Sequence, residues 1–279
     1  MCTDNRRCER CPARRIAGGP RVVAAALPAL GTVVSVTAND VALLSQTGEY
    51  QQPALPGEAL SCGDQQIALR VHPGLVTDTV LTPRALTLAD AHGTHRAYLT
   101  PMSDRLVVEA LETAPEAEPE PDLALDWTTV NWRETDQITH LDDLSPQRYR
   151  VLPFTGARRV DERVVPHLLT HLTEVSLAHT VAVPGGGCVQ LHRGRAAMAE
   201  WAGGHVAVMY NAARYALDPA LLAECWVTEA HGVAGKTSAV ELYDHQNRCV
   251  TVLTQTGPVC HHLHDAWETV IASLPDHPE

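Results

Sequence analysis

The run Gly31-Thr-Val-Val-Ser-Val36 returns in altered form at Ala178-His-Thr-Val-Ala-Val183, and the segments after each copy keep the same order. A short apolar stretch comes next, Ile67-Ala-Leu-Arg70 in the first copy and Tyr215-Ala-Leu-Asp218 in the second. A strand pair around a polar turn follows, Leu86-Thr-Leu-Ala-Asp-Ala-His-Gly93 against Val240-Glu-Leu-Tyr-Asp-His-Gln-Asn247, and each copy closes on an amphipathic helix. Alternation with period two, broken by Gly, Asp and Asn, is the pattern of antiparallel strands with one face buried. A duplication spanning Gly31 to Glu112 and Leu177 to Leu274 points to an α+β fold of two tandem pseudo-repeats, each a large antiparallel sheet with flanking helices. Two similar sheets facing one another leave a cleft between them. Residues that only one copy carries, such as Arg70 where the second has Asp218, mark where an asymmetric site belongs.

Composition narrows the classes of partner. The chain has 279 residues, 45% of them apolar and 19% charged, which is the make-up of a soluble globular protein with a sizeable core. A formal charge of −12 argues against nucleic acid, whose phosphates need a basic face. No stretch reaches the ~20 apolar residues of a spanning helix, so stable membrane insertion is not expected. Residues 1–21, with Arg6, Arg7, Arg10, Arg14, Arg15 and Arg21, read as a basic disordered tail. The apolar run that follows is interrupted by Pro28 and Gly31, so it reads as a short helix rather than a secretory signal. The first repeat then occupies 22–112 and an acidic Pro/Glu linker 113–131. Residues 132–279 hold a short helix marked by Ile138, Leu141 and Leu144, and then the second repeat. A further helix is predicted at Pro166 to Val175, with Leu168, Leu169 and Leu172 on one face. Eight cysteines without a paired framework fit a reduced, cytoplasmic setting.

Several motifs in the second half carry a family likeness. Gly187-Cys-Val-Gln-Leu-His-Arg-Gly194, Trp226-Val-Thr228, Gly235-Lys-Thr-Ser-Ala-Val-Glu-Leu-Tyr243 and Trp267 resemble, in order and spacing, the second repeat of the HemS/ChuS-type haem-utilisation proteins, the haemin-degrading factors. Trp132-Arg133 after the acidic linker is similar to the segment that opens the second half of that family. Gly31-Thr-Val33 and Ala68-Leu-Arg-Val71 extend the likeness into the first half, so it spans roughly 22 to 274, with a shortened N-terminus.

The resemblance implies a cleft between the repeats that holds haem b, iron protoporphyrin IX. By position in the family motif, His140 is the expected iron ligand and Arg70 the side chain over the opposite haem face. A neutral imidazole suits iron, and a guanidinium suits an iron-bound water or oxygen. Read from spacing alone, His140 is a surface histidine on a short helix. Where relatives carry an aromatic residue this chain has His72, two positions beyond Arg70 and so on the same strand face. His72 is therefore a candidate second iron ligand; the competing reading is that Pro73 ends the strand and leaves His72 on the rim. The basic and phenolic groups expected near the propionates are replaced by Glu229-Ala-His231 and Val252-Leu-Thr-Gln-Thr-Gly257. Arg148, Arg150 and Lys236 are the candidates to compensate, each otherwise a solvated charge.

Other chemistry is thinly supported. Cys8 and Cys11 have the spacing of half a zinc site, with Cys260-His-His-Leu-His264 as a conceivable other half. His167 and His171, four apart on one helix, flank the leucine face. Pro184-Gly-Gly-Gly187 reads as a hairpin turn rather than a phosphate loop, and no Gly-x-Ser-x-Gly elbow occurs. Two functional classes follow. One is an intracellular haem-binding protein for haem trafficking, utilisation and iron acquisition, with oxygen-dependent haem degradation as its enzymatic extension. Its partners would be a haem importer or a haem-degrading enzyme, and it would act as a monomer or dimer. The other is a haem-free family member serving as a regulatory or protein-interaction module.

Overall fold

A computed structural model describes residues 13–54, 66–115, 157–232, 235–256 and 260–278. The linker, the helix expected around Ile138 to Leu144, and His140, Arg148, Arg150, Cys8 and Cys11 lie outside the described residues.

The first repeat opens with strand β1 (Arg14–Arg15), helix α1 (Gly19–Ala26) and a 3-10 turn at Leu27–Leu30. The hairpin β2 (Gly31–Asn39) and β3 (Ala42–Tyr50) follows, then β4 (Gln66–Val71), β5 (Asp78–Leu81), β6 (Ala85–Ala89), β7 (Gly93–Ser103) and α2 (Arg105–Glu112). The second repeat runs β8 (Arg158–Val160), α3 (Val165–Glu174), the hairpin β9 (His179–Gly185) and β10 (Cys188–Gly194), β11 (Met198–Ala202), β12 (His205–Met209), β13 (Ala213–Leu217), β14 (Leu222–Gly232), β15 (Gly235–Asp244), β16 (Cys249–Thr254) and α4 (His261–Ala272). Leu168, Leu169 and Leu172 of α3 are buried while His167 and His171 face solvent, as the leucine periodicity requires.

Both repeats use one plan. In the first, β2 lies between β3 and β7, and β6 and β5 extend the sheet; in the second, β9 lies between β10 and β16, and β15 and β14 extend it. The central hairpins pack on one another, with β2 against β9. Each repeat also lends a strand to its counterpart: β4 pairs antiparallel with β10, and β13 with β3. The two sheets thus face one another at their hairpins and are stitched together at their edges. Central β9 is covered on both faces, which is why its sequence is a nearly continuous apolar run. In the second repeat the hairpin β11–β12 stands between β10 and β13 in the chain, and β12 pairs with β13.

The structure corrects two expectations about the duplication. First, the basic tail does not extend to residue 21. Arg14 and Arg15 pair with Leu81 and Val80, and Ile16 is buried, just as Arg158 and Arg159 pair with Val227 and Trp226 beside buried Val160. The same ion pair recurs, Arg15 to Asp78 at 2.8 Å and Arg159 to Glu224 at 3.2 Å. Ala13-Arg-Arg-Ile16 and Ala157-Arg-Arg-Val160 therefore correspond, so each copy includes this strand. Second, Arg70 does not correspond to Asp218. Val71 opposes Cys188 while Leu217 opposes Ala42, and the N–H of His72 donates to Gly187 O while that of Asp218 donates to Val41 O. His72-Pro73 is thus the counterpart of Asp218-Pro219, and Arg70 that of Ala216.

A buried polar cluster ties the hairpins together. Ser35 and Thr37 of β2 both donate to Gln190 Oε1 of β10, at 2.9 and 2.8 Å. His95 of β7 uses both ring nitrogens here, Nδ1 with Thr37 Oγ1 at 2.7 Å and Nε2 with the Tyr50 hydroxyl at 2.9 Å. Burial lowers the His95 pKa from 6.5 to about 3. The folded state therefore binds fewer protons than the unfolded chain between these values. Its contribution to stability is complete above pH 6.5 and is lost as pH falls toward 3, at about 1.4 kcal/mol per pH unit. Urea unfolding should accordingly weaken more steeply below pH 6.5 in the wild type than in His95→Gln; parallel pH profiles would contradict this.

Candidate functional site

A cavity of about 380 Å³ opens where turns of both repeats converge. The first repeat supplies the end of β2 at Asn39, the end of β4 with Arg70 and His72, the turn after it, and the β6–β7 turn at Asp90 to His92. From the second repeat come the β9–β10 turn at Pro184 to Val189 and the start of β16 at Arg248 to Val250. Its size falls within the roughly 300–1,000 Å³ of small-molecule pockets, and it lies between the repeats, where the duplication placed a site.

The β9–β10 turn is built to fit tightly. Gly186 and Gly187 have φ of +69° and +67°, the left-handed conformation of a two-residue hairpin. A side chain on Gly186 would meet the backbone of Leu88 and His95, so the turn is seated directly against β6 and β7. Asp90 fastens it: one carboxylate oxygen accepts from Gly187 N at 2.7 Å, and the other accepts from His92 N and Gly93 N.

Arg248 is the second fastener, and no local pattern of residues marks it. Its guanidinium donates to Asp244 and, at 2.8 Å, to Asp40 and to His92 Nδ1, so one side chain joins three turns from both repeats. Burial alone would lower its pKa, but hydrogen bonds to Asp244 and Asp40 outweigh that and hold it firmly charged. Two carboxylates already balance this charge, which makes Arg248 a latch rather than a bare cation for a ligand.

Arg70 and His72 form the interior wall, 1% and 5% exposed. Ala68 and Arg70 alternate along β4, and Arg70 lies opposite Val189, which in turn lies opposite Pro184. Arg70 therefore continues a row of side chains that crosses three strands and two repeats. His72 is fixed at both ends of its own backbone, its N–H on Gly187 O at 2.8 Å and its carbonyl accepting from Leu75 N at 3.0 Å. Its Nδ1 is buried with no hydrogen-bond partner.

Two cysteines also line the cavity. Cys188 Sγ donates to the Gly186 carbonyl and Cys249 Sγ to the Thr251 carbonyl. Burial pushes the Cys188 thiol well above its ordinary pKa, and neighbouring Asp90 adds to the effect. It is therefore a neutral thiol, not the thiolate that binds metal. Lys236, expected near a propionate, does not line the cavity; it is exposed on the β14–β15 hairpin and paired with Glu229. No cluster of three or more metal-ligating side chains occurs among the described residues, and none of their helices is long and apolar enough to cross a membrane.

This is a two-repeat α+β protein with a cavity at the junction of its repeats. Residues 147–274 match the haemin-degrading HemS.ChuX domain. The whole chain shares its fold with the holo form of PhuS, a haem-binding protein from Pseudomonas aeruginosa, at a TM-score of 0.70 and 19% identity over 95% of this chain and 88% of that one. ChuS from Escherichia coli O157:H7, a haem-degrading enzyme, gives a TM-score of 0.74 at 19% identity, covering 95% of this chain and 87% of that one. A second structure of ChuS, an E. coli haem oxygenase, gives 0.73 at 20% identity over 94% and 89%. No curated protein matches the chain. The second half of the chain thus carries a match to the HemS.ChuX domain, and the chain as a whole shares its fold with PhuS and ChuS.

Proposed function

We propose that this protein binds haem b at the junction of its repeats and carries it, as cargo, between the steps of haem utilisation. The observation that carries this reading is the cavity wall itself. A buried guanidinium and a buried imidazole line one space, in a chain whose second half matches the HemS.ChuX domain. These groups suit haem: an imidazole nitrogen binds iron, and a guanidinium hydrogen-bonds an iron-bound water or a propionate bidentately. Apolar lining from Leu75, Val189 and Val250 suits the macrocycle.

In this reading His140 would bind the iron, and Arg148 and Arg150 would pair with the propionates. Haemin titration of the purified protein tests it. The wild type should bind one haem per chain with a saturable Soret change, and His140→Ala should bind at least tenfold more weakly. An unchanged affinity and Soret band in His140→Ala would remove His140 from the iron. No saturable binding by the wild type would favour the haem-free interaction module.

A further inference from the structure

The near two-fold symmetry of the chain supplies its own control for what His72 does. Both repeats end a strand at the same backbone geometry before a 3-10 turn, with φ and ψ of −103° and 96° at His72 and −96° and 98° at Asp218. Pro73 and Pro219 follow in the same place. Asp218 does the structural work of the position, its carboxylate accepting from Ala220 N at 3.0 Å and capping the turn. His72 makes no such cap. The first repeat thus gives up a stabilising cap for an imidazole that lines the cavity, its Nδ1 enclosed and without a hydrogen-bond partner. A buried polar group left unsatisfied costs free energy, so the position serves something other than capping the turn.

The other soft donors around the cavity are already committed. His92 Nδ1 accepts from Arg248, Cys249 donates its thiol hydrogen to a carbonyl, and Cys188 is a neutral thiol doing the same. His72 alone of these four is both enclosed and available, and its backbone is held rigid by Gly187 and Leu75.

We propose that His72 is an iron ligand on the Arg70 side of the bound haem. This rests on the haem-binding reading above and sharpens it. Its imidazole forms an iron–nitrogen bond as the iron–water bond breaks, and the water leaves without a change of oxidation state. The Arg70 face is then closed by a protein nitrogen, and dioxygen reaches the iron only by displacing it. That geometry belongs to a carrier that protects its cargo rather than to an enzyme that opens the macrocycle.

The test is the spin state of the ferric haem complex, read by absorption and electron paramagnetic resonance. The wild type should be low-spin and six-coordinate without added ligand. His72→Ala should become high-spin, and free imidazole should return it to low-spin. His72→Asp places the second repeat's capping residue in the first, so it should fold at least as well as the wild type while showing the same loss of the low-spin signal. A high-spin wild-type complex, or a low-spin spectrum that persists unchanged in both variants, overturns the proposal while leaving haem binding intact. A wild type that binds no haem overturns both.

Discussion

Gly186→Ala should both destabilise the protein and weaken its hold on haem. At φ of +69° an alanine adopts a left-handed backbone at a cost of roughly 1–2 kcal/mol. Its methyl group would also stand 2.5 Å from the His95 nitrogen and press on the Leu88 carbonyl, and overpacking of this kind costs roughly 1–3 kcal/mol. Because these contacts are backbone, relief requires the β9–β10 turn to lift from β6 and β7. Gly187 would move with it, and the wall that fixes His72 through its N–H would open. Gly203→Ala is the matched control: φ is +60° in the β11–β12 turn, and nothing lies within 4 Å of an added methyl. Denaturant unfolding should show Gly186→Ala losing clearly more stability than Gly203→Ala, and only the former should release haem faster. Equal losses in the two would contradict the account of a turn seated between the repeats.

Arg70→Leu should cut haem affinity by roughly 10- to 100-fold while leaving the fold intact. A charge-assisted hydrogen bond contributes roughly 1.5–3 kcal/mol, and each 1.4 kcal/mol is a factor of ten. Leucine keeps apolar volume beside Val189, and a thermal melt of the variant separates loss of the site from loss of the fold. Arg70→Lys should restore only part of the affinity, since an ammonium lacks the planar fork that meets a propionate bidentately. If Arg70→Leu bound haem as tightly as the wild type, Arg70 would be a structural cation and not part of the site.

Much of the architecture is legible in the residues. The alternation at Gly31–Val36 and Ala178–Val183 marks the central strand of each repeat, and Leu168, Leu169 and Leu172 mark α3, because burial on one face repeats with the period of the element. Pro184-Gly-Gly-Gly187 reads as a hairpin because only glycine takes two successive positive φ values without strain. The equivalence of β1 and β8 is hidden because they have only two and three residues, too few for any periodicity. Apolar runs do not fix register either: matching Ile67-Ala-Leu with Tyr215-Ala-Leu slips the alignment by two residues, whereas the prolines at 73 and 219 set it correctly. Arg248 is beyond local reading altogether. Its role depends on Asp40 and His92, 208 and 156 residues away, which meet only when the repeats dock.

The central claim is that one haem lies at the junction of the repeats, against Arg70 and His72. Diffraction from haem-bound crystals at the iron absorption edge tests it most directly, because the anomalous signal locates the iron without reference to the rest of the map. The account predicts a single iron peak in the cavity bounded by the ends of β2 and β4 and the β9–β10 turn, within bonding distance of a His72 ring nitrogen. An iron peak outside that cavity, or no ordered iron in crystals of a stoichiometric complex, would contradict it.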